Sequence, residues 1–217
     1  METTRTSVKV GLIGVGLNTY WEQFEGLLPR LMGYHKEIRD RMTNLCAEVV
    51  DAGMVDSPQK AAAAAELIKT NDAEIIFIFI STYALSSTIL PIVQRVKVPV
   101  VLLNVQPVAA IDYSYINAMG DRGQMTGEWL AHCQACSAPE FACVFNRAGI
   151  RYDGIFAGRI CMERDRSLDR YCSCHERNAR ESYGNSRALL LWYVGCIYRY
   201  NPAIYPIWYA YRTVGDV

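Results

Sequence analysis

A chain of 217 residues with 22 basic and 22 acidic side chains carries no net charge, which removes any electrostatic argument for nucleic acid or an anionic membrane as a partner. No apolar run approaches the roughly 18 residues needed to span a bilayer, and the glycine-rich N-terminal run is too short for a secretory signal. The expectation is a soluble cytoplasmic protein whose eight cysteines are mostly reduced.

The chain alternates between strand-like and helix-like segments. "VKVGLIGVG" (8–16) is a short β-branched run ending in glycines and reads as a buried strand. A helical pattern follows, with Phe24, Leu27, Leu28 and Leu31 on one face. "AEVVDAGMV" (47–55) is a second strand. Ser57 then caps a helix whose first residue is Pro58, continued by the alanine-rich "QKAAAAAELIK". "AEIIFIFIS" (73–81) is apolar throughout, the pattern of a strand covered on both faces. "VPVVLLNVQ" (98–106) repeats it, and "FACVFNRAG" (141–149) reads as a weaker fifth strand. Strands separated by helix-length segments predict an α/β fold, a doubly wound parallel sheet of the flavodoxin/Rossmann-like three-layer kind.

In such sheets ligands bind beyond the carboxyl ends of the strands. That rule selects the loops Gly14 to Tyr20, Ser81 to Tyr83 and Asn104 to Gln106. Asn18, Asn104 and Gln106 both donate and accept hydrogen bonds, as sugar hydroxyls require. Tyr20, Trp21 and Tyr83 offer flat apolar surfaces. The predicted substrate-binding residues are therefore Asn18, Tyr20, Tyr83 and Gln106, with a small-molecule sugar as the partner. Taken one at a time, each also fits an ordinary role: an Asn in a turn, a Tyr at the rim of a core.

"GVGLNTYW" invites a dinucleotide reading, since Gly14 and Gly16 fill the first two places of G-x-G-x-x-G. Thr19 stands where the third glycine belongs, however, and Asp51 lies inside the second strand, not at its end. A tight strand-to-helix turn explains the two glycines better. His35 and His132 fall within helical stretches and read as structural or solvated.

The segments "VGLIGVGLNTYWEQFEGL", "FIFISTYALSSTIL" and "VPVVLLNVQPVAAIDYSYINAMGDRGQMTGEW" resemble, in order and spacing, the N-terminal domain of the L-arabinose/L-fucose isomerase superfamily, nearest its L-arabinose isomerase-like branch. The likeness covers residues 8–153. It implies an aldose–ketose isomerase in which a divalent metal, usually manganese, polarises the sugar oxygens while carboxylates move protons. It further implies a homo-oligomer, trimer or hexamer, for the full-length enzyme. Gln106 corresponds to the family's strand-end glutamine, Tyr20 matches a family tyrosine, and Gly120, Asp121 and Arg122 match a Gly-Asp-Arg loop. Leu17 stands where the family has glutamine. The family's metal ligands lie in later domains and have no counterpart in this chain, so the resemblance implies no catalytic residue, no metal ligand, no bound manganese and no isomerase turnover by this chain alone. Two further classes stand beside it: a sugar-binding α/β module of the periplasmic-binding-protein type, and a nucleotide-binding oxidoreductase domain resting on Gly14 and Gly16.

Composition breaks near residue 153. All five lysines precede it, while nine arginines, eight tyrosines and four cysteines follow. Read one base out of frame, Met162-Glu163 encodes Trp, and Trp192-Tyr193 and Trp208-Tyr209 each encode Gly. The remaining codons can spell an amphipathic helix and strands resembling the start of the isomerase's second domain. Residues 154–217 are thus expected to be an out-of-frame tail, poorly structured and no native domain. Cys172, Cys174 and His175 within it are expected to be neither a metal site nor a disulfide knot.

Overall fold

The computed structural model describes residues 8–44, 47–108 and 110–157. Expectations for residues 158–217, including the Cys172, Cys174 and His175 cluster, lie outside the described residues.

Five strands, β1 (Val8–Val15), β2 (Ala47–Val55), β3 (Ile75–Ile80), β4 (Val100–Val105) and β5 (Tyr152–Ala157), form one sheet in the order β2-β1-β3-β4-β5. Every neighbouring pair is parallel. This is the flavodoxin-like order of a doubly wound sheet, as the strand–helix alternation predicts. Helices α3 (Pro58–Thr70), α4 (Ser86–Val96) and α7 (Ala138–Arg147) cover one face, where Ile13, Ile76, Ile78 and Leu102 meet Ala65, Ile68, Ile92, Phe141 and Phe145. The long helix α2 (Leu27–Asn44) packs against β1 and β2. Side chains of β3 alternate between faces, and all six of its residues are buried, which is why the run shows no polar positions.

The α3 start follows from local chemistry. Ser57 is extended and its hydroxyl accepts from the Lys60 amide, while Pro58 sits where no amide partner is needed. Ser57→Ala is expected to cost about 1 kcal/mol, read as a lower urea midpoint with an unchanged slope.

Three expectations are corrected. The helical pattern after β1 is broken: α1 (Thr19–Gln23) stops at Phe24, and Gly26 turns the chain with φ of 80° before α2 begins. "FACVFNRAG" is not a strand but the body of α7. Phe141 and Phe145, four residues apart, share one buried face with their rings stacked at 6.3 Å, and Gly149, at φ 66°, follows the end of the helix. The fifth strand comes later, as β5, so the boundary at residue 153 falls inside it and residues 154–157 belong to the sheet, not to a poorly structured tail.

One irregularity matters below. Between Leu12 and Gly14 the β1–β2 register advances by two residues on β1 and three on β2. The extra residue is a bulge at Gly53, whose φ of 65° suits glycine. It brings the Gly53 amide to within 2.8 Å of the Asp51 carboxylate.

Candidate functional site

The chain order reverses between β1 and β3, so the crevice of this sheet lies beyond the carboxyl ends of those two strands. The β1–α1 turn that leads into it is filled by the protein itself. A Cβ placed on Gly16 would meet the Trp21 ring at 2.8 Å, so the glycine is there to admit the indole. Trp21 Nε1 donates to Asp56 at 2.8 Å, and Lys60 donates to the same carboxylate at 2.7 Å. Asp56 is buried and satisfied by these two donors. The glycine pair thus serves packing, and the indole stands where a phosphate would need to reach the turn.

The end of β3 is also closed. Ser81 and Thr82 are fully buried: the Ser81 hydroxyl donates to the Val15 carbonyl at 2.7 Å, and the Thr82 hydroxyl to the Leu130 carbonyl at 2.8 Å. Gln134 donates to the Ser81 carbonyl at 3.0 Å, and the Ser137 hydroxyl accepts from the Ala84 amide at 2.7 Å. These bonds roof the strand with the segment joining α6 (Arg122–Leu130), which follows the short helix α5 (Tyr113–Asn117), to α7, including a 3-10 turn at Gln134–Ser137. Of the predicted Ser81 to Tyr83 loop, only Tyr83 is left partly open to solvent.

The four predicted contact residues are divided by this arrangement. Tyr20 and Tyr83 come together, both half-buried against the cluster of Leu27, Leu31, Met54 and Leu130. Tyr20 meets Phe24 edge-on at 5.8 Å. Burial, then the neighbouring Cys133, Tyr83 and Cys136, push its phenol above the usual tyrosine range. The pair is more wall than free stacking surface. Asn18 is exposed at the start of α1 with no side-chain capping bond. Gln106, half-buried just past β4, donates to the buried Asn104 at 3.0 Å, so the two amides form one unit.

A groove lies between the α1–α2 turn and α6. Gln23, Phe24, Arg30, Asp121, Gln124 and Glu128 are among its lining residues. Asp121 caps α6 through the Gln124 amide at 2.8 Å. Arg30 holds Glu128 with two bonds of 2.5 and 3.0 Å. That pairing raises the guanidinium further and keeps the Glu128 carboxyl below its usual range, burial opposing both. His132, in the turn after α6, sits 3.3 Å from Glu128. None of Asn18, Tyr20, Tyr83 or Gln106 lines the groove; Tyr20 touches it through Phe24. The groove residues were not selected from sequence, because they lie on helices one turn removed from the strand ends. A second depression, on the outer face of α2 around Lys36, Asp40 and Asn44, is remote from this rim.

The manganese implied by the isomerase resemblance needs several oxygen or nitrogen donors converging on one point. Among the described residues no three His, Cys, Asp or Glu side chains are so grouped, and the described residues do not fit that ion. Among them, too, no helix is long and apolar enough to cross a membrane.

No protein-family model and no curated protein matches the chain. Among solved structures, it is similar to a periplasmic ribose ABC transporter protein from Conexibacter woesei, at 15% identity and a TM-score of 0.33, over 84% of this chain and 63% of that one. It is also similar to the substrate-binding protein of a sugar ABC transport system from Bordetella parapertussis, at 17% identity and a TM-score of 0.27, over 81% of this chain and 58% of that one. The chain thus spans less than two thirds of the length of either. The adjacent thiols of Cys133 and Cys136, 2.6 Å apart, also went unselected in the sequence, although their C-x-x-C spacing is visible there.

Proposed function

We propose that this chain is a sugar-binding α/β module whose site lies at the carboxyl rim of the sheet, in the groove between the α1–α2 turn and α6. The lining of that groove carries the proposal. It combines the amides of Gln23 and Gln124, the carboxylate of Asp121, the Arg30–Glu128 pair and the ring of Phe24. Amide and carboxylate groups pair with vicinal hydroxyls, and an aromatic ring covers the apolar face of a pyranose. Trp21, lying over Gly16, argues against a nucleotide in this place.

The test is calorimetric titration of the full chain with aldopentoses, with and without a chelator. Binding is expected to be independent of metal. Gln124→Ala is expected to weaken it about tenfold, the equivalent of one hydrogen bond of about 1.4 kcal/mol. Unchanged affinity in that variant would remove the site from the groove.

One observation favours a narrower reading. Asp121, matched by the resemblance to a Gly-Asp-Arg loop of the arabinose isomerases, lines this groove. On that reading the module is the N-terminal domain of an aldose–ketose isomerase and lends binding contacts to chemistry done elsewhere. The purified chain is then expected to show no aldose–ketose turnover with manganese. Turnover above background would overturn that expectation.

A further inference from the structure

The roof over β3 holds a pair of thiols, Cys133 packed in the cluster of Leu27, Leu31, Met54 and Leu130, and Cys136 outside it, that the sugar site does not use. Cys133 precedes the 3-10 turn Gln134–Ser137 and Cys136 lies within it. Residues three apart eclipse one another in such a turn, and here the two Sγ atoms stand 2.6 Å apart. Cys133 is buried and Cys136 is exposed. The turn is not free to splay: Gln134 Nε2 donates to the Ala131 carbonyl at 2.6 Å and the Ser81 carbonyl at 3.0 Å, and Ser137 accepts from the Ala84 amide. Two thiols held side by side, one open to solvent and one behind it, have the geometry of an attacking and a resolving cysteine.

We infer that Cys133 and Cys136 form a reversible dithiol–disulfide site that exchanges with small-molecule disulfides such as oxidised glutathione. The Cys136 thiolate attacks one sulfur of that disulfide, whose S–S bond breaks, and the first glutathione leaves as a thiolate that takes up a proton. Cys133 then gives its proton to solvent and attacks the Cys136 sulfur, expelling the second glutathione. The protein loses two hydrogens and one glutathione disulfide becomes two thiols. Burial, followed by the contact with Cys136, pushes the Cys133 thiol up to about 12, which keeps it inert toward outside reagents until the mixed disulfide has formed. Both sulfurs lie close enough to act on the Tyr20 phenol, so the bond closes beside the Tyr20 ring. The inference stands whether or not a sugar binds there.

The full chain is equilibrated in glutathione buffers of rising disulfide content, alkylated, and cut after glutamate. The fragment between Glu128 and Glu140 carries these two cysteines and no other. It is expected to lose both alkylation sites together and to become two hydrogens lighter. Cys133→Ser is expected to leave one glutathione on Cys136, and Cys136→Ser to slow thiol release from this fragment at least about tenfold. Two alkylated cysteines in the wild-type fragment at every ratio would overturn the inference, as would a glutathione that stays on Cys136 without being expelled. The wild-type reading is sufficient if either variant fails to fold.

Discussion

Phe79→Ala is expected to lower the unfolding free energy by about 3–5 kcal/mol. Phe79 sits in the central strand β3, fully buried, paired with Gly14 on β1 and Leu103 on β4. Its ring faces the His35 ring of α2 at 6.5 Å, so truncation opens a cavity between sheet and helix that neither can collapse into. Domains of this size are stable by only about 5–15 kcal/mol, so the loss is a large fraction of the total. In urea it appears as a lower midpoint with an unchanged slope. Leu67→Ala, at an exposed position of α3, is the control and is expected within about 0.5 kcal/mol of wild type. If the two variants were equally stable, β3 would not be the centre of the core.

The second large effect concerns His35, which is 1% exposed. Its Nε2 donates to Asp51 at 2.7 Å; the carboxylate can only accept, so the proton is assigned to that nitrogen. The other side of the ring presses on β1: a Cβ on Gly14 would lie 2.7 Å from Nδ1. His35→Ala removes both packing and a charge-assisted bond, and is expected to cost about 2–4 kcal/mol. The same contact sets a pH dependence. Burial raises the Asp51 carboxyl, but the His35 bond, the Gly53 amide and Arg39 together outweigh it, and the net shift is downward. A carboxyl lowered on folding stabilises the native state above its unfolded value, near 3.9, and that contribution disappears as pH falls through the lowered folded value. Stability is therefore expected to fall below about pH 4. In His35→Ala this acid limb is expected to be shallower, measured as urea midpoints at pH 3 and pH 6.

β3 was legible because burial on both faces leaves a run of β-branched and aromatic residues with no polar interruption, "IIFIFI"; β1, β2 and β4 were legible as apolar runs broken by few polar residues, Lys9, Glu48 and Asp51, and Asn104. The fifth was misplaced for a physical reason. In α7 the apolar residues Phe141 and Phe145, four apart, would share a face in a helix or a strand alike, so the short run "FACVF" matches either period. Tyr152 and Asp153, which open the true strand, sit where the composition already changes. At the site, the strand-end rule selected Asn18, Tyr83 and Gln106, none of which lines the groove proposed here. It could not find that residues 130–137 fold over β3 and bury Ser81 and Thr82. Those bonds join positions about fifty residues apart, and no local pattern announces them. Trp21 looked like a ligand surface and is the cover of its own turn, since the Asp56 that anchors it lies 35 residues away.

Most direct for the central claim is a map of backbone amide shifts in the 15N-labelled chain as L-arabinose is added to millimolar levels. The sugar-binding account predicts changes confined to the rim, at residues 18–27, 104–106 and 119–128, with the outer face of α2 unmoved. Saturating sugar that leaves those amides in place, or that shifts Gly33 to Asn44 instead, would contradict it.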